Sequence, residues 1–213
     1  MKRKFTLAIG LIFQLGFFAR SQGYIYDQQS PPPFVTFAES GYFIGTNQPI
    51  GQSFTPTLSS IDFIFLQLED YYFNNGTGAV IFVKLFSGSI TNGTLLGSTA
   101  PISFPDGFGV STVGYYGETN FVFPSSIALT PGIQYFLQPV LLSGDASFYL
   151  GVGNLNYPGG TAYINGTPNI NGWDLWFREG IIAVPEPDIM ALAILGTLGL
   201  LVGKKRQRKL LKL

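Results

Sequence analysis

The stretch Ala79-Val80-Ile81-Phe82-Val83-Lys84-Leu85-Phe86 decides the fold class. Ala79, Ile81, Val83 and Leu85 fall on one side of a chain read with period two, and Lys84 falls on the other, as a pleated strand requires. The second side also carries Phe82 and Phe86, which predicts a central strand. Six more runs rich in Phe, Ile, Val, Tyr and Leu read the same way: 62–68, 120–123, 133–140, 148–152, 161–164 and 174–181. Between Gln22 and Val184 no helical period persists for three turns.

The connections agree with the strands. Asn75-Gly76, Asn92-Gly93, Asn165-Gly166 and Asn171-Gly172 are pairs suited to hairpin turns with positive φ, and Thr130-Pro131-Gly132 has the order of a type II turn. Three of these Asn-Gly pairs precede Thr and so match a glycosylation sequon, but the turn reading accounts for them. Seven or more short strands at this spacing predict an all-β domain, an antiparallel β-sandwich or jelly roll, over residues 50–182. Residues 22–49, with Pro31-Pro32-Pro33, read as an extended lead-in.

Composition narrows the chemistry. The chain has neither Cys nor His, which removes the Ser-His-Asp triad, the thiolate nucleophile and the usual zinc sites. Carboxylate chemistry and oxygen-ligated calcium remain. Between Gln22 and Val184, two bases, Lys84 and Arg178, face ten acids, a net charge of −8. Nucleic acid is therefore not an expected partner, since phosphate binding needs clustered Lys and Arg. The same charge disfavours anionic polysaccharide unless a divalent cation bridges the two.

Both ends differ from this acidic middle. Lys2-Arg3-Lys4, the apolar run from Phe5 to Phe18 and Ala19-Arg20-Ser21 have the order of a signal peptide over residues 1–21, with a mature start at Gln22 after signal peptidase. At the other end, Val184-Pro185-Glu186-Pro187 precede an uncharged run from Ile189 to Val202 and the basic cluster Lys204, Lys205, Arg206, Arg208 and Lys209. The prolines hold the preceding chain out of a helix that starts near Asp188. Fourteen residues of helix span about 21 Å, short of the roughly 30 Å of bilayer hydrocarbon. The basic cluster predicts a cytoplasmic tail with the domain outside.

This three-part tail, over residues 183–213, resembles the PEP-CTERM sorting signal of bacteria that export polysaccharide. The resemblance implies processing by an exosortase, with Pro185, Glu186 and Pro187 as its recognition residues and the basic residues as a stop-transfer cluster. The segments Ile50–Pro56, Leu129–Phe136 and Asn156–Tyr163 are similar to secreted bacterial β-sandwich domains with lectin-like topology.

Candidate binding residues come from the loops. Tyr71, Tyr72, Tyr115, Tyr116, Tyr157 and Trp173 lie in or beside predicted loops, where an aromatic ring offers an apolar face for a sugar and a polar handle. Trp176 is a further aromatic beside these loops, but it alternates with Leu175 and Phe177 in a predicted strand, so one of those two faces is expected inside. Glu69-Asp70 could form an acid–base pair or a calcium corner only if a loop turns both to one side; a solvated strand end is the plainer expectation. Arg178 is expected to pair with Asp174 or Glu179.

The expected protein is a non-enzymatic surface or matrix component. It passes transiently through the inner membrane, is associated with extracellular polysaccharide and needs no cofactor, calcium excepted. A carboxylate-based glycan hydrolase or lyase on the same sandwich, or a permanently anchored single-pass protein, are the alternatives.

Overall fold

The computed structural model describes residues 23–30, 38–110 and 116–183, of which Tyr24–Ile182 make one compact unit. The described residues form strands and connecting turns, with no helix. In chain order the strands are β1 (Gly23–Ser30), β2 (Ser40–Phe43), β3 (Gly51–Phe54), β4 (Ser60–Asp70), β5 (Ala79–Ser87), β6 (Thr94–Ser98) and β7 (Ile102–Phe104). They continue as β8 (Gly117–Ala128), β9 (Tyr135–Gly144), β10 (Phe148–Gly153), β11 (Ala162–Ile164), β12 (Thr167–Pro168), β13 (Asp174–Leu175) and β14 (Phe177–Ala183). Residues 1–21, expected to be a signal peptide, together with Tyr115, Pro185, Glu186, Pro187, the apolar run 189–202 and Lys204, Lys205, Arg206, Arg208 and Lys209, lie outside the described residues.

Two seven-stranded sheets face one another. In the first, β4 is the spine: β8 runs along one edge, while β14 and β10 share the other; β1 follows β14, and both β2 and β13 pair with β10. The second runs β12-β11-β3-β9-β5-β6, with β7 also on β5. The neighbours of β3, β4, β5 and β10 are antiparallel to them, so the all-β antiparallel reading of the sequence holds. Each of the seven predicted runs overlaps an observed strand.

The alternation in β5 is the one its sequence dictates: Ala79, Ile81, Val83 and Leu85 are buried in the core, and Lys84 is not. They meet Ile64, Leu66 and Leu68 of β4 and Leu150 and Val152 of β10 from the opposite sheet. Gln52 joins the two layers at one end. Its Nε2 donates to Asp174 Oδ1 at 3.0 Å and its Oε1 accepts from Leu175 N–H at 2.9 Å, all of them buried. Such a fully partnered polar clamp inside a core holds two layers in one register, because losing either bond strands a buried group.

Several local expectations are revised. Asn165 and Gly166 both have positive φ, 54° and 74°, closing the two-residue hairpin between Ile164 and Thr167. In the other three Asn-Gly pairs the Asn is not left-handed; at Asn74-Asn75-Gly76 the positive φ falls on Asn74 and Gly76. The stretch read as a lead-in supplies β1 beside β14 and β2 beside β10. Proximity of β1 depends on Gly180, since a Cβ there would lie 1.9 Å from Ile25 O.

Candidate functional site

The strand period distributes the end of β4 between two environments. Leu68 and Asp70 point inward, and Gln67 and Glu69 point to the outer face of the first sheet; register agrees, with Asp70 opposite core Phe148 and Glu69 opposite Tyr149. Glu69 and Asp70 therefore do not share a site. Neither is a solvated strand end, for both are buried. Asp70 Oδ2 accepts from Gly107 N–H at 2.9 Å. Burial raises its pKa, the Gly107 hydrogen bond opposes the rise, and Asp145 and Asp106 add to it. Among the described residues no group of three or more acidic side chains is disposed to hold a metal ion.

Around Glu69 the outer face is aromatic. Tyr149 of β10 packs on Phe43 of β2, centroids 4.2 Å apart, and on Tyr71, 4.4 Å apart. Tyr72 stacks over Phe43 at 6.1 Å with 27° between planes and meets Tyr71 edge-on at 4.9 Å. Tyr71 and Tyr72 remain 45% and 60% exposed, so the cluster is a shelf whose rings are oriented by one another and open to solvent. Aromatic pairs of this kind favour offset and edge-to-face geometry, which fixes ring tilt.

Two backbone features hold the shelf. A Cβ at Gly41 would lie 2.8 Å from the Tyr149 ring and 3.0 Å from the Tyr116 hydroxyl, so only glycine lets both sit down on β2. Tyr116 itself has φ 84°, a left-handed conformation that costs a bulky residue about 1–3 kcal/mol and persists where the surroundings impose it. Burial raises the pKa of the Glu69 carboxyl, with Asp70 adding to it. Burial, then Glu69, then Tyr149, push the Tyr116 phenol well up. Burial pushes the Tyr149 phenol up as well, with Tyr71, Tyr72 and Glu69 contributing. The shelf thus sets phenol hydroxyls beside a carboxyl group, a donor and acceptor set of the kind that sugar hydroxyls pair with.

Of the predicted aromatics, Tyr71, Tyr72 and Tyr116 converge here. Tyr157 does not: it is buried, stacks edge-on against Phe177 at 5.2 Å, and donates its hydroxyl to Gln28 Oε1 at 3.0 Å. Its loop folds inward because Tyr157 N–H donates to the buried Asp174 at 2.9 Å. Trp173 is half-buried against the core beside Tyr42. Trp176 falls in the one-residue break between β13 and β14 and is fully buried, while Leu175 and Phe177 on either side of it supply the core face. Phe43 and Tyr149 were missed because they lie on strands; the signal available was Tyr149 itself, a tyrosine alternating with core residues Phe148 and Leu150.

Arg178 departs from its expected partners. It approaches Glu118 at 3.8 Å and stacks over Trp176 at 4.6 Å, while Glu179 lies on the opposite face of β14. Glu179 is wholly buried: Oε1 accepts from Gln28 N–H at 3.1 Å, and Oε2 has no hydrogen-bond partner. Burial, reinforced by Asp27, pushes its pKa up to about 9 against the Gln28 bond.

No protein-family model matches the chain, and no curated protein shows significant similarity to it.

Proposed function

We propose that the protein is an exported, non-catalytic glycan-binding component of the cell surface or extracellular matrix, with the shelf of Phe43, Tyr71, Tyr72 and Tyr149 as its sugar platform. The observation that carries this reading is two half-exposed tyrosines, Tyr72 stacked over Phe43 and Tyr71 edge-on to both, on a glycine-backed aromatic cluster with Glu69 and the strained Tyr116 at its edge. An apolar ring face bordered by hydroxyls and a carboxylate fits a pyranose, whose own surface alternates C–H and hydroxyl. The lectin-like resemblance, and with it a jelly-roll winding of the sandwich, agrees with this use of the fold.

Export rests on the two ends of the sequence. The signal-peptide order and the PEP-CTERM-like tail support passage through the inner membrane, handling by signal peptidase and exosortase around Pro185-Glu186-Pro187, and release or attachment in the polysaccharide layer. Retention of the protein on exopolysaccharide from the producing cells, measured with and without calcium, tests the binding half. Retention lost in Tyr71→Ala/Tyr72→Ala supports the platform; no retention in either condition sinks it.

One observation keeps hydrolysis or lysis as a second reading. Glu118 lies diagonally across the outer face from the level of Glu69, a placement that separates Cβ atoms by roughly 7–8 Å. Inverting glycosidases place two carboxyl groups roughly 6.5–9.5 Å apart, a spacing that glutamates rooted at such Cβ positions can reach. Glycan cleavage that disappears in both Glu69→Gln and Glu118→Gln would replace binding with catalysis.

A further inference from the structure

Towards the β1 side, the same outer face carries a second aromatic patch that the shelf does not use. Tyr24 and Tyr26 are alternate residues of β1 and so share a face; their rings are 6.4 Å apart with 27° between planes. Both stand edge-on against Phe63, at 4.8 and 5.8 Å, and Tyr24 also against Phe65, at 5.3 Å. Asn120 Nδ2 donates to the Tyr24 hydroxyl at 2.9 Å, and the Arg178 guanidinium lies 5.7 Å from the Tyr26 ring. Although held this firmly, Tyr24 and Tyr26 stay 46% and 42% exposed.

Polar capacity is left over around these rings. Trp176 Nε1–H, Arg178 Nε–H and Asn120 Oδ1 are buried without a hydrogen-bond partner, and Trp176 is 0% exposed. Native proteins leave few such groups unpartnered, and three of the six found among the described residues gather beneath this patch. Glu118, at 3.8 Å from Arg178, is beyond hydrogen-bond reach.

We propose that Tyr24 and Tyr26 form a second binding platform, for a neutral chain of pyranose sugars, bordered by Arg178, Glu118 and Asn120. Two ring faces side by side suit consecutive sugar units, and the Arg178–Glu118 pair presents donors and an acceptor with no net charge. The domain's net charge of −8 argues against an acidic chain. This inference rests on the reading of the protein as a glycan binder and deepens it. Phe65 and Glu69 are four residues apart on β4, about 13 Å at strand rise. Between them Ala38 sits over Gly151 and donates its N–H to Gln67 Oε1 at 2.9 Å. Two platforms so divided hold two chains, or two stretches of one, and make the protein a cross-linker.

Affinity electrophoresis of the detergent-solubilised full chain, in gels containing hydroxyethyl cellulose or polygalacturonate, tests the platform. The viscosity of hydroxyethyl cellulose solutions reports cross-linking. Retardation is expected in the neutral polymer, about tenfold weaker in Tyr24→Ala/Tyr26→Ala, with the rise in viscosity lost while Tyr71 and Tyr72 still support residual binding. Unchanged retardation in Tyr24→Ala/Tyr26→Ala overturns the second platform, and a loss confined to Tyr71→Ala/Tyr72→Ala leaves the shelf standing. The reverse pattern sinks the shelf and keeps the platform. No retardation of the parent chain in hydroxyethyl cellulose, stronger retention on polygalacturonate, or a dimer in sedimentation that the Tyr24 and Tyr26 changes dissolve each overturns the proposal.

Discussion

Replacing Glu179 by Gln should stabilise the protein at neutral and alkaline pH and change little in acid. Glu179 sits inside the sandwich with one oxygen bonded to Gln28 N–H and the other unpartnered, and burial raises its pKa to about 9 from an ordinary 4.5. Because the folded value lies above the unfolded one, the folded state holds the proton more tightly. The stability this contributes is complete below pH 4.5 and drains away as pH rises to about 9. Each pH unit in that window costs at most about 1.4 kcal/mol, so the loss at pH 7 is bounded near 3 kcal/mol. Gln copies the protonated acid: its oxygen keeps the Gln28 bond, and it has no charge to bury. Urea unfolding of both proteins from pH 4 to 9 reads the difference directly. The gap should be near zero at pH 4 and widen by on the order of 1 kcal/mol per unit above 4.5. Parallel stability curves across that range would refute the burial argument.

Three further outcomes are expected. Gly41→Ala drives a methyl to 2.8 Å from Tyr149 and 3.0 Å from the Tyr116 hydroxyl, so it should cost about 1–3 kcal/mol of overpacking and weaken glycan retention with Tyr71 and Tyr72 intact; unchanged retention would separate ring seating from binding. Gln52→Ala strands the buried Asp174 Oδ1 and Leu175 N–H and should lower stability by about 2–4 kcal/mol, seen as a falling urea midpoint; a shift under about 0.5 kcal/mol, the size of ordinary surface changes, would show the clamp to be dispensable. Mass spectrometry of the exported protein should find a C-terminus lacking Lys204 to Lys212, and an intact basic end would favour the permanent anchor.

The strands that could be read from sequence are those whose two faces differ. β5 alternates Ala79, Ile81, Val83 and Leu85 with Lys84, and burial follows that pattern residue by residue. β1 and β2 were not legible because neither carries a one-sided apolar pattern: β1 is Tyr-Ile-Tyr followed by polar Asp-Gln-Gln, and β2 is four residues with Gly41 in second place. Their pairing comes from partners more than 100 residues away, Gly180 for β1 and Val152 for β2, which no local window sees. The same distance explains the site. Tyr71 and Tyr72 stand out in the sequence as loop tyrosines, yet the shelf also needs Phe43 and Tyr149, brought together only by the pairing of β2 with β10. Tyr157 fits the same loop rule and is buried, because Gln28 of β1 gives its hydroxyl a partner inside.

Isothermal titration of the full chain with its own exopolysaccharide, beside Tyr71→Ala/Tyr72→Ala, tests the central claim most directly. The account predicts saturable binding to the parent, weakened about tenfold or more in the variant, with the variant still folding cooperatively and its unfolding midpoint lowered only by the lost ring contacts, about 1 kcal/mol each. Equal affinity in the two proteins would contradict it.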